Sequence, residues 1–105
     1  MKITFAENEG RLEAKLSESS DVKLFVAFAN AIANEFDISW IRKLKGLDQR
    51  YWDFKLNNCD LTLHLEHYLG ISLFPTSKTN AMNIENGLVR KITDYLINVN
   101  FEEES

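Results

Sequence analysis

Cysteine and proline each occur once, at positions 59 and 75, and histidine only twice, at 64 and 67, in a chain of 105 residues. One cysteine excludes an internal disulfide. No run is long and apolar enough to cross a bilayer: the most apolar segment, Val22 to Phe36, is interrupted by Lys23, Asn30, Asn34 and Glu35. Positive charge is in deficit, with 12 basic against 16 acidic residues and a net charge of −4. The field of the whole chain therefore repels phosphate backbones, which excludes nucleic acid as the expected partner. The opening MKITFAENEG reaches Glu7 without the apolar run of a secretory signal, so a cytoplasmic location is expected. Glycine-rich loops, nucleophile elbows and phosphate-binding signatures are all missing, and no cofactor is implied.

What is present is the composition of a soluble globular protein: 45% apolar, 27% charged and 11% aromatic residues. A chain of this length buries roughly 65% of the surface its unfolded form exposes, enough for one core without a disulfide or metal. One domain over residues 1–105 is expected, with Glu102 to Ser105 as an acidic, solvated tail.

Hydrophobic spacing supplies the elements. Ile3 and Phe5, then Leu12, Ala14 and Leu16, alternate with polar residues on either side of Glu7-Asn-Glu-Gly10, which reads as a hairpin. The serines of Ser17-Glu-Ser-Ser20 offer N-caps for a helix on which Val22, Phe25, Ala29, Ile32 and Phe36 recur three and four residues apart. From Ile38 the period falls to two, through Trp52, Phe54 and Leu56 and again through Leu61, Leu63 and Leu65. After Pro75 and a polar run from Thr76 to Asn80, the spacing of Ile84, Leu88, Ile92, Tyr95, Leu96 and Val99 predicts a second helix, weakened near its start by Gly87. The order ββαββββα, with one apolar sheet face and two amphipathic helices to cover it, predicts a two-layer α+β sandwich with a mainly antiparallel sheet. Pattern does not say where the N-terminal hairpin joins that sheet.

Turn chemistry fixes the pairing. Asn57-Asn58 suits a two-residue turn with positive φ, which sets Phe54 against Leu61 and Trp52 against Leu63 inside, and Asp53 against Thr62 and Tyr51 against His64 outside. A loop of Tyr68-Leu69-Gly70 predicts Leu65 opposite Leu73 and His64 opposite Phe74, with Pro75 ending the strand. A loop centred on Gly46 predicts Ile41 beside Tyr51 and sends Trp40 and Leu44 inward. It also turns Arg42 inward, which signals a bulge in that strand.

The stretch CDLTLHLEHYLGISLFP, from Cys59 to Pro75, concentrates the groups able to do chemistry. Alternation sends His64 and Glu66 outward and Cys59 inward, while His67 begins a turn on the opposite parity. This opposes both a metal cluster and a thiol–imidazole pair, and no metal site is expected. Asp53, Thr62 and Glu66 share the outer face with His64 and form a candidate ligand or acid–base set. The same registers align Ile41, Tyr51, His64 and Phe74 in one row on the face that should meet water, a candidate partner-binding stripe.

Tyr51-Trp-Asp-Phe54, Cys59 and Leu61-Thr-Leu-His-Leu-Glu-His-Tyr68 resemble the central hairpin of a family of small bacterial proteins of unknown function. In size and acidity the chain is also similar to immunity proteins that neutralise bacterial toxins. The expectation is a non-enzymatic interaction domain that binds a partner protein or a second copy of itself through the outer sheet face. The alternative is a small-molecule or metal-assisted enzyme using Asp53, His64 and Glu66. A flat row favours the first, and a concave pocket with converging polar groups favours the second.

Overall fold

A computed structural model describes residues 2–77 and 83–101; the distal part of the polar run after Thr76 and the acidic tail lie outside these residues. In chain order the elements are β1 (Thr4–Asn8), β2 (Arg11–Ser17), α1 (Val22–Glu35), β3 (Ser39–Lys45), β4 (Gln49–Leu56), β5 (Cys59–Glu66), β6 (Gly70–Pro75) and α2 (Asn83–Ile97). This is the ββαββββα sandwich. The six strands form one antiparallel sheet in the order β1-β2-β6-β5-β4-β3. The N-terminal hairpin thus joins at β6, and α1 carries the chain across the sheet from β2 to the far edge.

The strand alternation buries Leu12, Ala14 and Leu16 of β2, Phe54 of β4, Leu61, Leu63 and Leu65 of β5, and Ile71 and Leu73 of β6 on one face. Against them pack Phe25, Phe28 and Ile32 of α1 and Val89, Ile92 and Leu96 of α2, all fully buried. Each such side chain contributes about 1.5–3 kcal/mol on leaving water, and this face dominates the stability. The inner surface near β3 is finished by aromatic contacts: Trp52 meets Phe25 edge to face at 4.9 Å and Trp40 at 5.5 Å. Lys43 lays its ammonium 4.3 Å from the Trp52 ring, so its stem covers apolar surface while its charge stays wet.

The N-cap of α1 is Asp21, not a serine: its carboxylate accepts the Lys23 N–H at 2.9 Å. The serines act one step earlier, the Ser17 hydroxyl accepting from the Ser19 N–H and the Ser19 hydroxyl from the Asp21 N–H. They shape the approach to the helix, and the carboxylate, a stronger acceptor, starts it. Helix α2 is tied to the β1–β2 turn by Asn86, whose amide accepts from the Leu12 N–H and donates to the Gly10 carbonyl. Ile84, expected on the apolar stripe of this helix, is exposed.

Candidate functional site

Helices cover one face of the sheet, and the other curls into a groove. All six strands line it, around a cavity of about 710 Å³ that is open on one side. That volume lies within the range of small-molecule sites. The face is concave, which is the shape expected for the small-molecule enzyme alternative and not the flat row expected for a protein-contact surface.

The central pairing stands as predicted. Asn57 and Asn58 both have positive φ, 50° and 63°, and β4 pairs with β5 as Tyr51 to His64, Trp52 to Leu63, Asp53 to Thr62 and Leu56 to Cys59. The two neighbouring registers differ from expectation. The loop between β5 and β6 is His67-Tyr68-Leu69, with Gly70 already paired to Glu66, so His64 lies opposite Ser72 and Phe74 opposite Thr62. Gly70 holds that register because its backbone crowds the end of β2: with φ at 89°, an added Cβ would collide with the Ser17 carbonyl oxygen. A slip of two residues preserves every inside–outside assignment, and the leucines remain inward.

On the other side, the anticipated bulge falls at Ile41, between Trp40 and Arg42. It removes Ile41 from the row and turns Arg42 and Leu44 outward. The β3–β4 connection also differs from the predicted loop: Lys45 pairs with Arg50 and the Gly46 N–H donates to the Gln49 carbonyl, so that Leu44, not Ile41, is the partner of Tyr51. Burying Arg42 would have stranded a guanidinium in the core, and the extra residue avoids it. Three of the four expected stripe residues, Tyr51, His64 and Phe74, do come together. Tyr51 stacks on His64 with ring centres 4.3 Å apart and 14° between planes, while Phe74 meets His64 edge-on at 5.8 Å across the diagonal.

Two rows cross the groove. In the first, Lys15, Ser72, His64, Tyr51 and Leu44 stand on five successive strands, each the register partner of the next. In the second, Phe74, Thr62, Asp53 and Arg42 follow in the same way. The polar members of this row are bonded to one another. Thr62 donates its hydroxyl hydrogen to Asp53 Oδ1 at 2.7 Å, so the 2.8 Å contact with Thr76 is a hydrogen bond donated by Thr76. Asp53 Oδ2 accepts from Arg42 Nη2 at 3.0 Å and more distantly from Nε. The Asp53 side chain is only 8% exposed while that of Arg42 is 58% exposed, so the guanidinium shields the carboxylate and still faces solvent.

The imidazole of His64 is half-buried, and burial pulls its pKa below the ordinary value, outweighing the lift from Glu66 and Glu13. Its polar neighbour is Gln49, whose Oε1 lies 3.4 Å from Nε2 and also accepts the Tyr51 hydroxyl. The guanidinium of Arg11 lies over Phe74 at 4.3 Å and pairs with Glu13. Glu66 does not line the groove, His67 turns into the loop against Tyr68, and Cys59 is buried on the opposite face. Among the described residues, no three His, Cys, Asp or Glu side chains gather closely enough to hold a metal ion. Nor is any helix among them long and apolar enough to cross a membrane.

Sequence reasoning missed Arg11, Glu13, Lys15, Ser72 and Leu44 as groove residues. The alternation of Arg11, Glu13 and Lys15 with Leu12, Ala14 and Leu16 already placed them outward. Their membership became visible only once β2 was known to adjoin β6.

Residues 3–90 match the model of a family described as a protein of unknown function (DUF3630), and the chain belongs to that family. No curated protein and no solved structure matches it.

Proposed function

We propose that this member of the family is a non-enzymatic ligand-binding domain, which seats a compact organic molecule with a flat apolar body in the groove on the outer sheet face. The observation that carries this reading is the stacked Tyr51–His64 pair with Phe74 against it, on the floor of a concavity of about 710 Å³. Aromatic faces in a concave, mostly preformed site supply large contact area at little cost in ordering. Against an acid–base role for Asp53 stands its setting: its side chain is only 8% exposed, Oδ1 accepts from Thr62, and the Arg42 guanidinium pairs with Oδ2. A general acid or base must come within hydrogen-bond reach of the proton it moves on a bound substrate.

A fragment screen read by amide chemical shifts tests the proposal. Hits should perturb Tyr51, His64, Ser72 and Phe74 together and vanish in the Tyr51→Ala/Phe74→Ala variant. Hits scattered over the surface, or indifferent to that variant, would defeat it. A ligand at a hundred times its Kd should also add about 2.7 kcal/mol of stability.

A second reading is contact with a basic protein partner, as for an immunity-type protein in a bacterial cytoplasm. It draws on the acidic surface and on Leu44, Leu47, Tyr68 and Leu69, exposed on two loops and a strand end that meet where the His67 N–H bonds the Asp48 carbonyl. Complementary charge would steer such an encounter. If a basic protein is captured by the wild type and still captured when Tyr51 and Phe74 are truncated, the rim and not the groove is the binding surface.

A further inference from the structure

We infer that the occupant of the groove is a flat organic anion, whose charged group is held by Lys15 above Ser72 while its unsaturated body lies along His64 and Tyr51. The inference rests on the ligand-binding reading above and adds the chemical class.

Two acidic side chains line the groove, and each is already neutralised: Glu13 by Arg11 and Asp53 by Arg42. A third cation, Lys15, lines the same groove and is half-buried, and its side chain has no ion pair or hydrogen bond among the described residues. The groove therefore carries one uncompensated positive charge in a chain of net charge −4. An ammonium with no carboxylate partner, on the wall of a concavity whose other charges are paired, favours an anion there. Polyphosphates fit poorly, because one free cation faces two carboxylates and no glycine-rich cradle accompanies it. Organic cations are repelled by Lys15.

The row geometry sets the shape. Lys15 pairs with Ser72, Ser72 with His64 and His64 with Tyr51, so one strand of small side chain separates the cation from the stacked rings. At about 4.8 Å per strand, Lys15 and Tyr51 stand roughly 14 Å apart along the sheet. A lysine stem of about 6 Å closes part of that distance, leaving room for a fused bicyclic ring with one carboxylate. Ser72, the smallest side chain of the row, forms the step and offers its hydroxyl to the anion. Tyr51 is 37% exposed and Leu44 49%, so the far end of the ring surface is open to receive an apolar body.

The test uses 2-naphthoate and its neutral isostere 2-naphthamide, titrated into the full chain and followed by amide chemical shifts. Naphthoate should shift Ser72, His64 and Tyr51 and bind about ten-fold more tightly than naphthamide, a difference of about 1.4 kcal/mol. Lys15→Gln should bring naphthoate down to the level of the amide, and Lys15→Arg should restore most of the difference. Because Lys15 is half-buried, each variant is first checked for an unchanged spectrum. If Lys15→Gln misfolds, Lys15→Arg and the naphthoate-to-naphthamide ratio decide alone. Equal affinity for the two probes, or an unchanged ratio in Lys15→Gln, overturns the anion assignment while leaving the groove a binding site. If neither probe moves a groove resonance, or shifts appear only elsewhere, the binding reading falls with it.

Discussion

Thr62→Val separates a structural polar row from a catalytic one. The hydroxyl it removes donates to Asp53 at 2.7 Å, and Thr62 is 3% exposed, so water cannot replace it. A hydrogen bond to a charged group is worth about 1.5–3 kcal/mol, and the methyl that replaces the hydroxyl recovers about 0.8 kcal/mol through burial. Arg42 still pairs with Asp53, which prevents the larger loss of a stranded buried charge. The net expectation is a destabilisation of about 1–2 kcal/mol. In urea, with m of about 1.5 kcal/mol/M, the midpoint falls by roughly 1 M. On heating, Tm falls by roughly 5–12 °C. Thr76→Val removes only the outer, half-buried donor and should cost under about 0.5 kcal/mol. Active-site groups are commonly held at a cost in stability, so their removal is neutral or stabilising. A Thr62→Val protein as stable as wild type, or more so, would therefore refute the structural reading of Asp53 and Thr62 and return them to the list of acid–base candidates.

Three further outcomes are expected. Because burial lowers the pKa of His64, the unfolded chain takes up that proton first on acidification: the contribution to stability is present above the ordinary value of 6.5 and is lost as pH falls through the lowered value. Urea melts at pH 7.5 and 5.0 should thus show a larger acid loss in wild type than in His64→Gln, and equal or reversed losses would contradict the assignment. Gly70→Ala forces a Cβ against the Ser17 and Glu18 backbone at positive φ and should cost more than about 3 kcal/mol or prevent folding; a Tm within 5 °C of wild type, roughly a 1 kcal/mol effect, would show that β2 and β6 do not meet there. Asn58→Gly completes the favoured residue pair for the β4–β5 turn and should stabilise by about 0.5 kcal/mol; a loss of that size would count against the type I′ geometry.

The two errors of register have different causes. At the β5–β6 loop, the sequence pattern predicts the three-residue length but places it one residue late, with glycine inside the loop, whereas Gly70 is the first paired position of β6. What decides the matter is contact with Ser17 and Glu18, more than fifty residues earlier in the chain, which no local pattern contains. At β3 the signal was present, since an arginine in an inward column marks a bulge, but its position at Ile41 depends on which shift lets Arg42 reach Asp53 while Trp40 stays beside Phe54.

Periodicity alone determined the element types, the inward leucines, the outward His64 and the pairing of β4 with β5, because a strand has only two faces and a two-residue turn allows only one register. Tertiary structure decided the rest. The N-terminal hairpin docks on β6, which brings Lys15 and Arg11 to the groove, and the sheet curls so that its solvent face becomes a cavity. Both depend on contacts between distant segments and on the summed twist of six strands, quantities that exist only when the whole sheet is assembled.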